Sequence, residues 1–303
     1  MKLETRRYLI MTIDPVHVGT GGYRLGRVDN AIVREPGTNL PKIPGSSLHG
    51  AIRSAAAMRY GMPESSGLHP KGKPDENPVV YAFGGEDGGF NSGVVNIHDA
   101  HILFFPRSSQ EGPVWITTAS ILREAGFTGA EAPSEEDSVF LSCGLHAVDG
   151  RFLIGWLMLN AAAQPITLNA PSGNDWQEQV TLKEALSRTV IVHEALFHEL
   201  VNSGLEVRTS VAIDPETGAA YDPALFTYEA IPRGTFLFFD FEISDYRQIR
   251  FPAFECGDLK PKGPSDVVSH GLDLLQYLGI GGMGTRGFGR IEVIGEPISS
   301  TTE

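Results

Sequence analysis

The stretch from Val16 to Arg53 constrains this chain most, because it combines closely spaced glycines, one embedded acid and a helix start. Its segment GTGGYRLG, residues 19–26, has four glycines in eight positions, so the backbone can adopt positive φ or approach a ligand closely. RVDNAIV, residues 27–33, then alternates towards a short strand that contains Asp29. Many polar side chains among permissive glycines favour this stretch as the carrier of the function.

A helix is predicted where the stretch ends. SSLHGAIRSAAAMRY, residues 46–60, has apolar residues at helical spacing, and Ser46 or Ser47 suits the N-cap. The N-terminal end of a helix offers free N–H groups and a positive dipole end. His49 and Arg53 are four residues apart and share a face, which suits a phosphate. Capping plus a solvated face explains the same spacing equally well.

Common nucleotide and zinc motifs do not fit the chain. The glycines of 19–26 do not match a dinucleotide fingerprint, and no phosphate-loop motif occurs, so a flexible loop stays open as the alternative there. His98 and His101 lack the partners of a zinc set. His193 and His198 are five residues apart, one more than in the zinc protease motif, so packing or surface roles are favoured.

The charge balance argues against a freestanding nucleic-acid binder. The net charge is −13, from 24 Lys plus Arg against 37 Asp plus Glu. A nucleic-acid site must therefore be a local patch, or partners must supply positive charge. Two cysteines, Cys143 and Cys256, cannot form a disulfide framework, and no stretch resembles a signal peptide or a membrane span. A cytoplasmic protein is expected.

The rest of the chain alternates between strands, helices and turns. A long hairpin is predicted over 205–234, with the turn DPETG, Arg208 on one arm and Tyr228 and Glu229 on the other. Residues rich in Gly, Pro, Asp and Glu predict an exposed loop over 61–93. Strands are predicted at 6–13, 94–106, 139–148, 151–159 and 235–243, and helices at 115–126 and 265–279, with one or two more in 181–204.

A second glycine-rich loop precedes the last predicted strand. In IGGMGTRGFGRIEVI, residues 280–294, five glycines, Gly281 and Gly282 among them, surround Arg286, and Arg290 follows. Such a loop can lie flat against a sugar-phosphate backbone and present its amides as an anion nest.

Six segments together resemble the RAMP superfamily of CRISPR proteins, most closely the backbone subunit, subunit four, of the type III-B (Cmr) effector complex. They span residues 15–293 and read PVHVGTGG; RVDNAIVRE; LPKIPGSSLHGAIRS; ILFFPRSSQEGPVWITT; LEVRTSVAIDPETG with FTYEAIPRGT; and LGIGGMGTRGFGRIEV. The resemblance implies an α+β, ferredoxin-like (RRM-like) RAMP fold with insertions. It implies one domain over 1–303, with an inserted loop at about 61–93 and a thumb β-hairpin at about 205–234.

The family's function is implied with the fold. Its members stack head to tail into a filament along a guide CRISPR RNA, beside other Cmr subunits. The thumb intercalates at the guide–target duplex, and an aspartate of a VD motif cleaves target RNA at regular intervals with Mg²⁺ or another divalent metal. Asp29 occupies that position, and His17 and Glu229 are weaker candidates for general acid or metal support.

The implied RNA contacts cover both glycine-rich loops, the helix start and the hairpin. His49 stands where the family usually has lysine, which weakens phosphate attraction and leaves more of it to Arg53 and to helix amides. The implied RNA-binding residues are Gly21, Gly22, Arg27, Ser46, Ser47, His49, Arg53, Arg208, Tyr228, Gly281, Gly282, Arg286 and Arg290.

Three alternatives remain from the sequence. The chain could be a non-catalytic structural RNA-binding subunit in which Asp29 only caps a turn. It could be the equivalent subunit of the related Csm complex. An unrelated carboxylate hydrolase would need a second acid at a suitable separation, which a sequence cannot show.

Overall fold

The computed structural model describes residues 3–21, 28–86, 91–213, 216, 220–244 and 250–302. The helices are Gly45–Arg59 (α1), Pro78–Phe83 (α2), Ala119–Glu124 (α3), Val180–Ser187 (α4), Glu194–Ser203 (α5) and Pro264–Leu278 (α6). The strands are Leu3–Thr12 (β1), Lys42–Ile43 (β2), Gly84–Gly85 (β3), Asn91–Ser92 (β4), Val95–Ile97 (β5), Ala100–Ser109 (β6), Gly112–Thr117 (β7), Ser138–Leu141 (β8), Arg151–Ile154 (β9), Leu157–Ala161 (β10), Thr189–Val192 (β11), Glu206–Ile213 (β12), Ala220–Ala230 (β13), Phe236–Ser244 (β14), Ile291–Val293 (β15) and Ile298–Thr302 (β16).

The first half of the main sheet has the order β15-β1-β14-β6. β1 pairs antiparallel with β14 from Leu3↔Ser244 to Met11↔Phe236, and with β15 and β16 on its other edge. Tyr8 and Ile10 face the core shared with α1 and α6, whereas Leu9 faces a second core around Trp176. Because both faces of the second half of β1 are covered, residues 8–11 form a continuous apolar run rather than a strict alternation.

The second half of the sheet closes on itself. From β6 the order runs β7-β11-β8-β10-β9, and Ser109 of β6 pairs with Ile154 of β9 to complete a ring of six strands. Closure removes the exposed strand edges that would otherwise invite pairing with another chain. β6 belongs to both halves, so the barrel and the open sheet are one continuous structure.

The predicted exposed loop at 61–93 contains a buried helix, so the expectation of a fully exposed loop is wrong. Every residue of α2 is buried, and the Asn77 side chain caps it by accepting hydrogen bonds from the Val79 and Val80 amides. The apolar run PVVYAF explains this result, because it packs against α6 and sets Tyr81 edge-on to Phe251 at 5.2 Å.

Two predicted element boundaries are wrong for local reasons. α1 begins at Gly45 with Pro44 as N-cap, and neither Ser46 nor Ser47 caps it. The Gly45 amide instead donates to the Asp99 carboxylate at 2.7 Å, an acceptor from a distant part of the chain. The same Asp99 lies in the break that divides the predicted strand 94–106 into β5 and β6.

Three further differences concern the barrel. Residues 115–117 belong to β7, so the helix predicted from 115 begins only at Ala119. The predicted strand 151–159 is folded back on itself at Gly155, which has a positive φ of 59°. The run TVIV within 181–204 is β11, and its β-branched residues suit a strand buried on both faces.

The predicted hairpin is present. β12 and β13 form a separate two-stranded sheet that runs from Glu206↔Ala230 to Ile213↔Ala220, with a register shift between Ser210 and Ala212. Part of its tip lies outside the described residues. In the part of the chain that the structure covers, no helix combines the length and apolar character needed to span a membrane.

Candidate functional site

Asp29 is exposed and is held by the root of the hairpin. Its Oδ2 atom accepts hydrogen bonds from the Thr227 backbone N–H at 2.7 Å and from Thr227 Oγ1 at 2.9 Å. Next to it, the Asn30 amide donates to the Thr227 carbonyl at 3.0 Å, and the Glu229 amide donates to the Asn30 carbonyl at 3.1 Å. The segment around Asp29 therefore lies along β13 as an added parallel partner.

These bonds decide the ionisation of Asp29. The Thr227 backbone N–H, followed by its hydroxyl, lowers the pKa of the Asp29 carboxyl below its ordinary value. The side chain is thus a carboxylate at neutral pH. No hydrogen bond from another described residue occupies its Oδ1 atom, which leaves one oxygen for a ligand.

His17 is buried beneath this site. Its Nδ1 atom lies 2.5 Å from the Glu229 carbonyl oxygen, and because a carbonyl only accepts, Nδ1 must carry the proton. The ring meets Tyr228 edge-on, with 6.1 Å between ring centroids. A buried imidazole fixed in this way positions the neighbouring backbone.

The second glycine-rich loop rests on the backbone of His17. The Gly282 amide donates to the His17 carbonyl at 2.8 Å. Gly281 has a φ of +85°, and a Cβ atom built on it would lie 2.3 Å from the same carbonyl oxygen. Only glycine fits this close approach, so the loop is docked against the segment that leads to the first glycine-rich stretch.

Two arginines of the site lie over aromatic rings. The Arg208 guanidinium lies 4.6 Å from the Phe288 ring centroid, and that of Arg286 lies 5.6 Å from the Phe226 ring. Arg286 also donates to the Ser210 hydroxyl at 3.1 Å. Cation–π contacts orient a guanidinium without neutralising it. We call Arg208 and Arg286 the hairpin arginines. Arg208 also forms an ion pair with the carboxylate of Glu206, two residues earlier on β12.

Two other predicted residues are already paired. Oε2 of the buried Glu229 lies 2.7 Å from Arg34 Nη2, and this ion pair ties β13 to the strand-like segment after Asp29. Arg290 makes two contacts with Asp14, at 2.5 and 3.1 Å. Glu229 is therefore a structural partner in this geometry, and Arg290 would have to share its charge with Asp14.

The helix-start residues form a separate group. Arg53 donates to the Ser65 carbonyl at 2.8 Å and to the Gly84 carbonyl at 2.5 Å, and His49 lies edge-on to Phe83 at 5.0 Å. Burial, and then the nearby Arg53 charge, lower the pKa of His49, so it is neutral at pH 7. Both line a crevice of about 420 Å³. Among the described residues, no hydrogen bond or ion pair joins Arg53 or His49 to the cluster around His17.

The remaining predicted residues give less information. Gly21 has a φ of +71° with open space where a Cβ atom would lie. Ser46 is exposed and Ser47 half-buried in the first turn of α1. Gly22 and Arg27 lie outside the described residues.

Sequence reasoning missed Thr227 and Arg34. Thr227 is 198 residues from Asp29 in the chain, and only the fold shows that they bond. Within the described ranges, no group of three or more His, Cys, Asp or Glu side chains could hold a metal ion. Any metal here would have Asp29 as a single protein carboxylate, which suits a hard, largely hydrated ion such as Mg²⁺.

Comparisons with known proteins agree on one family. The sequence profile of the RAMP superfamily matches residues 9–292. The CRISPR system Cmr endoribonuclease Cmr4 of Pyrococcus furiosus is 27% identical over 257 residues, which cover 77% of this chain and 80% of the relative.

Two solved structures share the fold. The type III-B Cmr-beta complex bound to cognate target RNA contains a chain with a TM-score of 0.63 at 15% identity, and the match covers 96% of each chain. Oligomeric Cmr4 from Pyrococcus furiosus has a TM-score of 0.59 at 18% identity, covering 98% of this chain and 99% of that one.

Proposed function

The chain belongs to the RAMP superfamily, and from this premise we propose that it is a guide-RNA-binding backbone subunit of a type III-B (Cmr) CRISPR complex. In this function, copies of the chain stand head to tail along the guide RNA beside the other Cmr subunits, in the cytoplasm, and complementary target RNA is cut at regular intervals. Support comes from the relative named as a Cmr endoribonuclease and from the similar chains in a target-bound complex and in an oligomer.

One observation carries the proposal. The exposed Asp29 carboxylate, the hairpin root and the second glycine-rich loop meet around the buried His17. The hairpin arginines lie beside them over aromatic rings, and Arg286 has no acidic partner among the described residues. A site with arginines, backbone amides and one acid suits a sugar-phosphate backbone without base readout.

We also interpret the first half of the sheet as the ferredoxin-like unit of this family. Its elements follow the chain order β1, α1, β6, β14, α6, β15, and the strands lie side by side as β15-β1-β14-β6. On this interpretation the five other barrel strands, β7 to β11, are an insertion between β6 and β14, the 61–93 segment is a second insertion, and the whole chain is one domain. The β12–β13 hairpin is then the thumb.

Cleavage needs little chemistry from the protein. An RNA 2′-hydroxyl attacks the adjacent phosphate when the two are in line, and splaying one nucleotide produces that alignment. The thumb root would displace the nucleotide, and Asp29, fixed to that root, would face the exposed backbone. Its lowered pKa makes Asp29 a weak general base and favours a role as a fixed negative charge.

A divalent metal such as Mg²⁺ fits this site only through the free Oδ1 atom of Asp29, with water and RNA oxygens as its other ligands. When bound, such an ion would stabilise the charge that develops on the phosphate. His17 and Glu229 act in this proposal by positioning β13 and the glycine-rich loop, since the Nδ1 atom of one and the carboxylate of the other already have partners.

Two other functions stay as alternatives within the same family. A non-catalytic backbone subunit would use Asp29 only as the cap that holds Thr227. The equivalent subunit of the Csm complex would bind guide RNA in the same way. The alignment with a Cmr relative over about four-fifths of that protein favours the Cmr assignment.

The test is to purify the chain together with the products of its neighbouring genes and to sequence any RNA that is retained. A retained population of uniform small RNAs carrying CRISPR repeat sequence supports the proposal. Retention of random cellular RNA, or of none, by an assembled complex contradicts it.

A further inference from the structure

Arg34 joins three separate parts of the fold through one guanidinium. Its Nη2 atom lies 2.7 Å from Oε2 of Glu229 on β13. Its Nε atom donates to Oδ1 of Asn202 on α5 at 3.1 Å, and its Nη1 atom donates to the Ile32 carbonyl at 3.1 Å. The Arg34 side chain is only 20% exposed, so these bonds lie largely out of water, where hydrogen bonds from a charged group are strong.

The Glu229 side chain extends a strand pairing that the backbone leaves short. We call residues 29–34 the Asp29 segment. Among the described residues, its backbone bonds to β13 are the two made by Asn30, whose amide and carbonyl both bond to that strand. Further along, the Ile32 amide donates to Oε2 of Glu229 at 3.4 Å, and the same oxygen binds Arg34. The carboxylate therefore takes the place of the next backbone acceptor.

The Asp29 segment is thus attached to β13 at both of its ends. Thr227 and Glu229 are two residues apart on β13, so their side chains point to the same side of the strand. Thr227 bonds to the carboxylate of Asp29, and Glu229 bonds to the guanidinium of Arg34. A change at Arg34 therefore alters how the segment lies along β13, and with it the place of Asp29.

Asn202 fixes the guanidinium from the other side. Its side-chain nitrogen donates to the Asn39 carbonyl at 3.1 Å and to the His198 carbonyl at 2.9 Å. Both amide hydrogens are used in this way, and Oδ1 is directed at Nε of Arg34. α5 lies between the barrel strand β11 and the hairpin strand β12, so Asn202 ties Arg34 to the element that leads into the hairpin.

The three bonds need the shape of arginine as well as its charge. The guanidinium presents five N–H donors in a rigid planar fork, whereas the lysine ammonium has all its donors on one nitrogen. A lysine at this position could still neutralise Glu229, but it could not also place donors where Nε and Nη1 of Arg34 lie. One substitution can therefore separate the geometry of this side chain from its charge.

We propose that Arg34 is a positioning residue for cleavage by Asp29: its guanidinium, fixed by Asn202, holds the Asp29 segment on β13 through Glu229. This inference rests on the proposed nuclease function and adds a largely buried residue to it. A misplacement of about 1 Å can lower the rate of an enzyme about a hundredfold. Loss of the fork should therefore slow cutting, while the affinity for target RNA, which other parts of the site provide, stays the same.

The experiment compares Arg34→Lys and Asn202→Ala with a control, Arg59→Lys, in the assembled complex. Arg59 is the matched control because it also bonds a carboxylate, that of Asp273, and a backbone carbonyl, that of His270, and it does so between α1 and α6. Asn202→Ala leaves both charges of the Arg34 ion pair in place, so it carries the test if Arg34→Lys does not assemble.

Four quantities are measured for each variant: the single-turnover rate of cutting, the affinity for target RNA, the melting temperature and the hydrogen exchange of amides in the Asp29 segment. We expect Arg34→Lys to cut at least about tenfold more slowly, and Asn202→Ala at least about threefold, with target affinity within about twofold of wild type. Exchange in the Asp29 segment should be faster in both variants. Arg59→Lys should cut, and exchange in that segment, like wild type even if its melting temperature falls.

Cutting at the wild-type rate by Arg34→Lys would overturn the inference, as would unchanged exchange in the Asp29 segment. A slower rate matched by an equal loss of target affinity, or equal slowing by Arg59→Lys, would also overturn it, because the effect would then reflect weaker binding or general destabilisation. A wild-type complex that binds target RNA without cutting it would contradict the proposed nuclease function alone. Exchange would still decide whether Arg34 holds the segment in place.

Discussion

The carboxylate of Asp29 accepts two hydrogen bonds from Thr227, one from the backbone N–H at 2.7 Å and one from the hydroxyl at 2.9 Å. This contact connects the exposed acid of the site to the strand that forms one arm of the hairpin. Any displacement of the hairpin root by a bound duplex would therefore be transmitted to the acid. In the proposed function, target binding and the position of the catalytic group are coupled through this pair.

Replacing Thr227 by valine tests that coupling. Thr227→Val removes the hydroxyl that both donates to Asp29 Oδ2 and accepts from the Asp29 amide at 3.1 Å, but keeps the backbone bond and the side-chain shape. We expect target cleavage to fall about tenfold, consistent with the roughly 1–3 kcal/mol of a charge-assisted hydrogen bond, with target affinity unchanged. Thr209→Val, across the same hairpin, is the matched control. Equal cleavage by the two variants would show that the hydroxyl does not position Asp29.

Gly281→Ala should detach the second glycine-rich loop from His17. The new Cβ atom would lie 2.3 Å from the His17 carbonyl oxygen at a φ of +85°. The left-handed backbone alone costs about 1–2 kcal/mol, so we expect a lower free energy of unfolding and weaker RNA binding. Gly284→Ala in the same loop has open space and should change the free energy of unfolding by less than about 0.5 kcal/mol. Equal effects in urea unfolding would contradict the docking role of Gly281.

Arg286 and Arg53 should behave differently although both are predicted RNA contacts. Arg286 lies over an aromatic ring with its charge unpaired by acid among the described residues, so Arg286→Ala should weaken RNA binding for every sequence and reduce the salt slope by about one. Arg53 is held by the Ser65 and Gly84 carbonyls, so Arg53→Ala should mainly lower the melting temperature. RNA binding is measured by fluorescence titration at several salt concentrations. Weaker binding by Arg53→Ala together with unchanged binding by Arg286→Ala would assign the phosphate contact to Arg53 at the start of α1.

His49 gives the fold an acid-sensitive element. Because burial lowers its pKa in the folded state, the unfolded chain binds a proton at higher pH than the folded one. The contribution of neutral His49 to the free energy of unfolding is therefore fully present above the ordinary histidine pKa of 6.5. It falls as the pH drops through and below that value. His49→Phe keeps a ring against Phe83 and cannot titrate, so its melting temperature should fall less between pH 7.5 and 5.5. An unchanged fall would place the acid sensitivity elsewhere, with His270, whose pKa burial also lowers, as the next candidate.

The sequence predicted the parts of this molecule that depend on local patterns. Glycine spacing identified the loop that contains Gly281, and the turn DPETG identified the hairpin. The buried helix in 61–93 was missed because its six residues are too few to show a helical period among glycines and prolines. β11 was missed because it is flanked directly by α4 and α5, which makes the region look helical.

The chemistry of the site was less accessible than its location. Asp29 could be selected through a resemblance, but Thr227, which sets its ionisation, is distant in sequence. Glu229 was a weaker candidate for general acid or metal support, and the structure shows its carboxylate paired with Arg34. Arg53 donates to carbonyls of Ser65 and Gly84, in the 61–93 segment whose fold the sequence did not reveal. Long-range pairing depends on the whole fold, and a single sequence does not specify it.

Cleavage by the assembled complex carrying Asp29→Asn tests the central claim most directly. Asparagine keeps the size of the side chain and an oxygen that can accept both hydrogen bonds from Thr227, but it removes the charge. Asp258→Asn, an exposed acid far along the chain, is the control, and target affinity is measured in parallel with cleavage over a range of Mg²⁺ concentrations. The account predicts that Asp29→Asn binds guide and target RNA like wild type and loses cutting by at least about a hundredfold, the low end of what removing a group that stabilises developing charge costs. Cutting at the wild-type rate by Asp29→Asn would show that Asp29 is only structural and would contradict the nuclease function proposed for this chain.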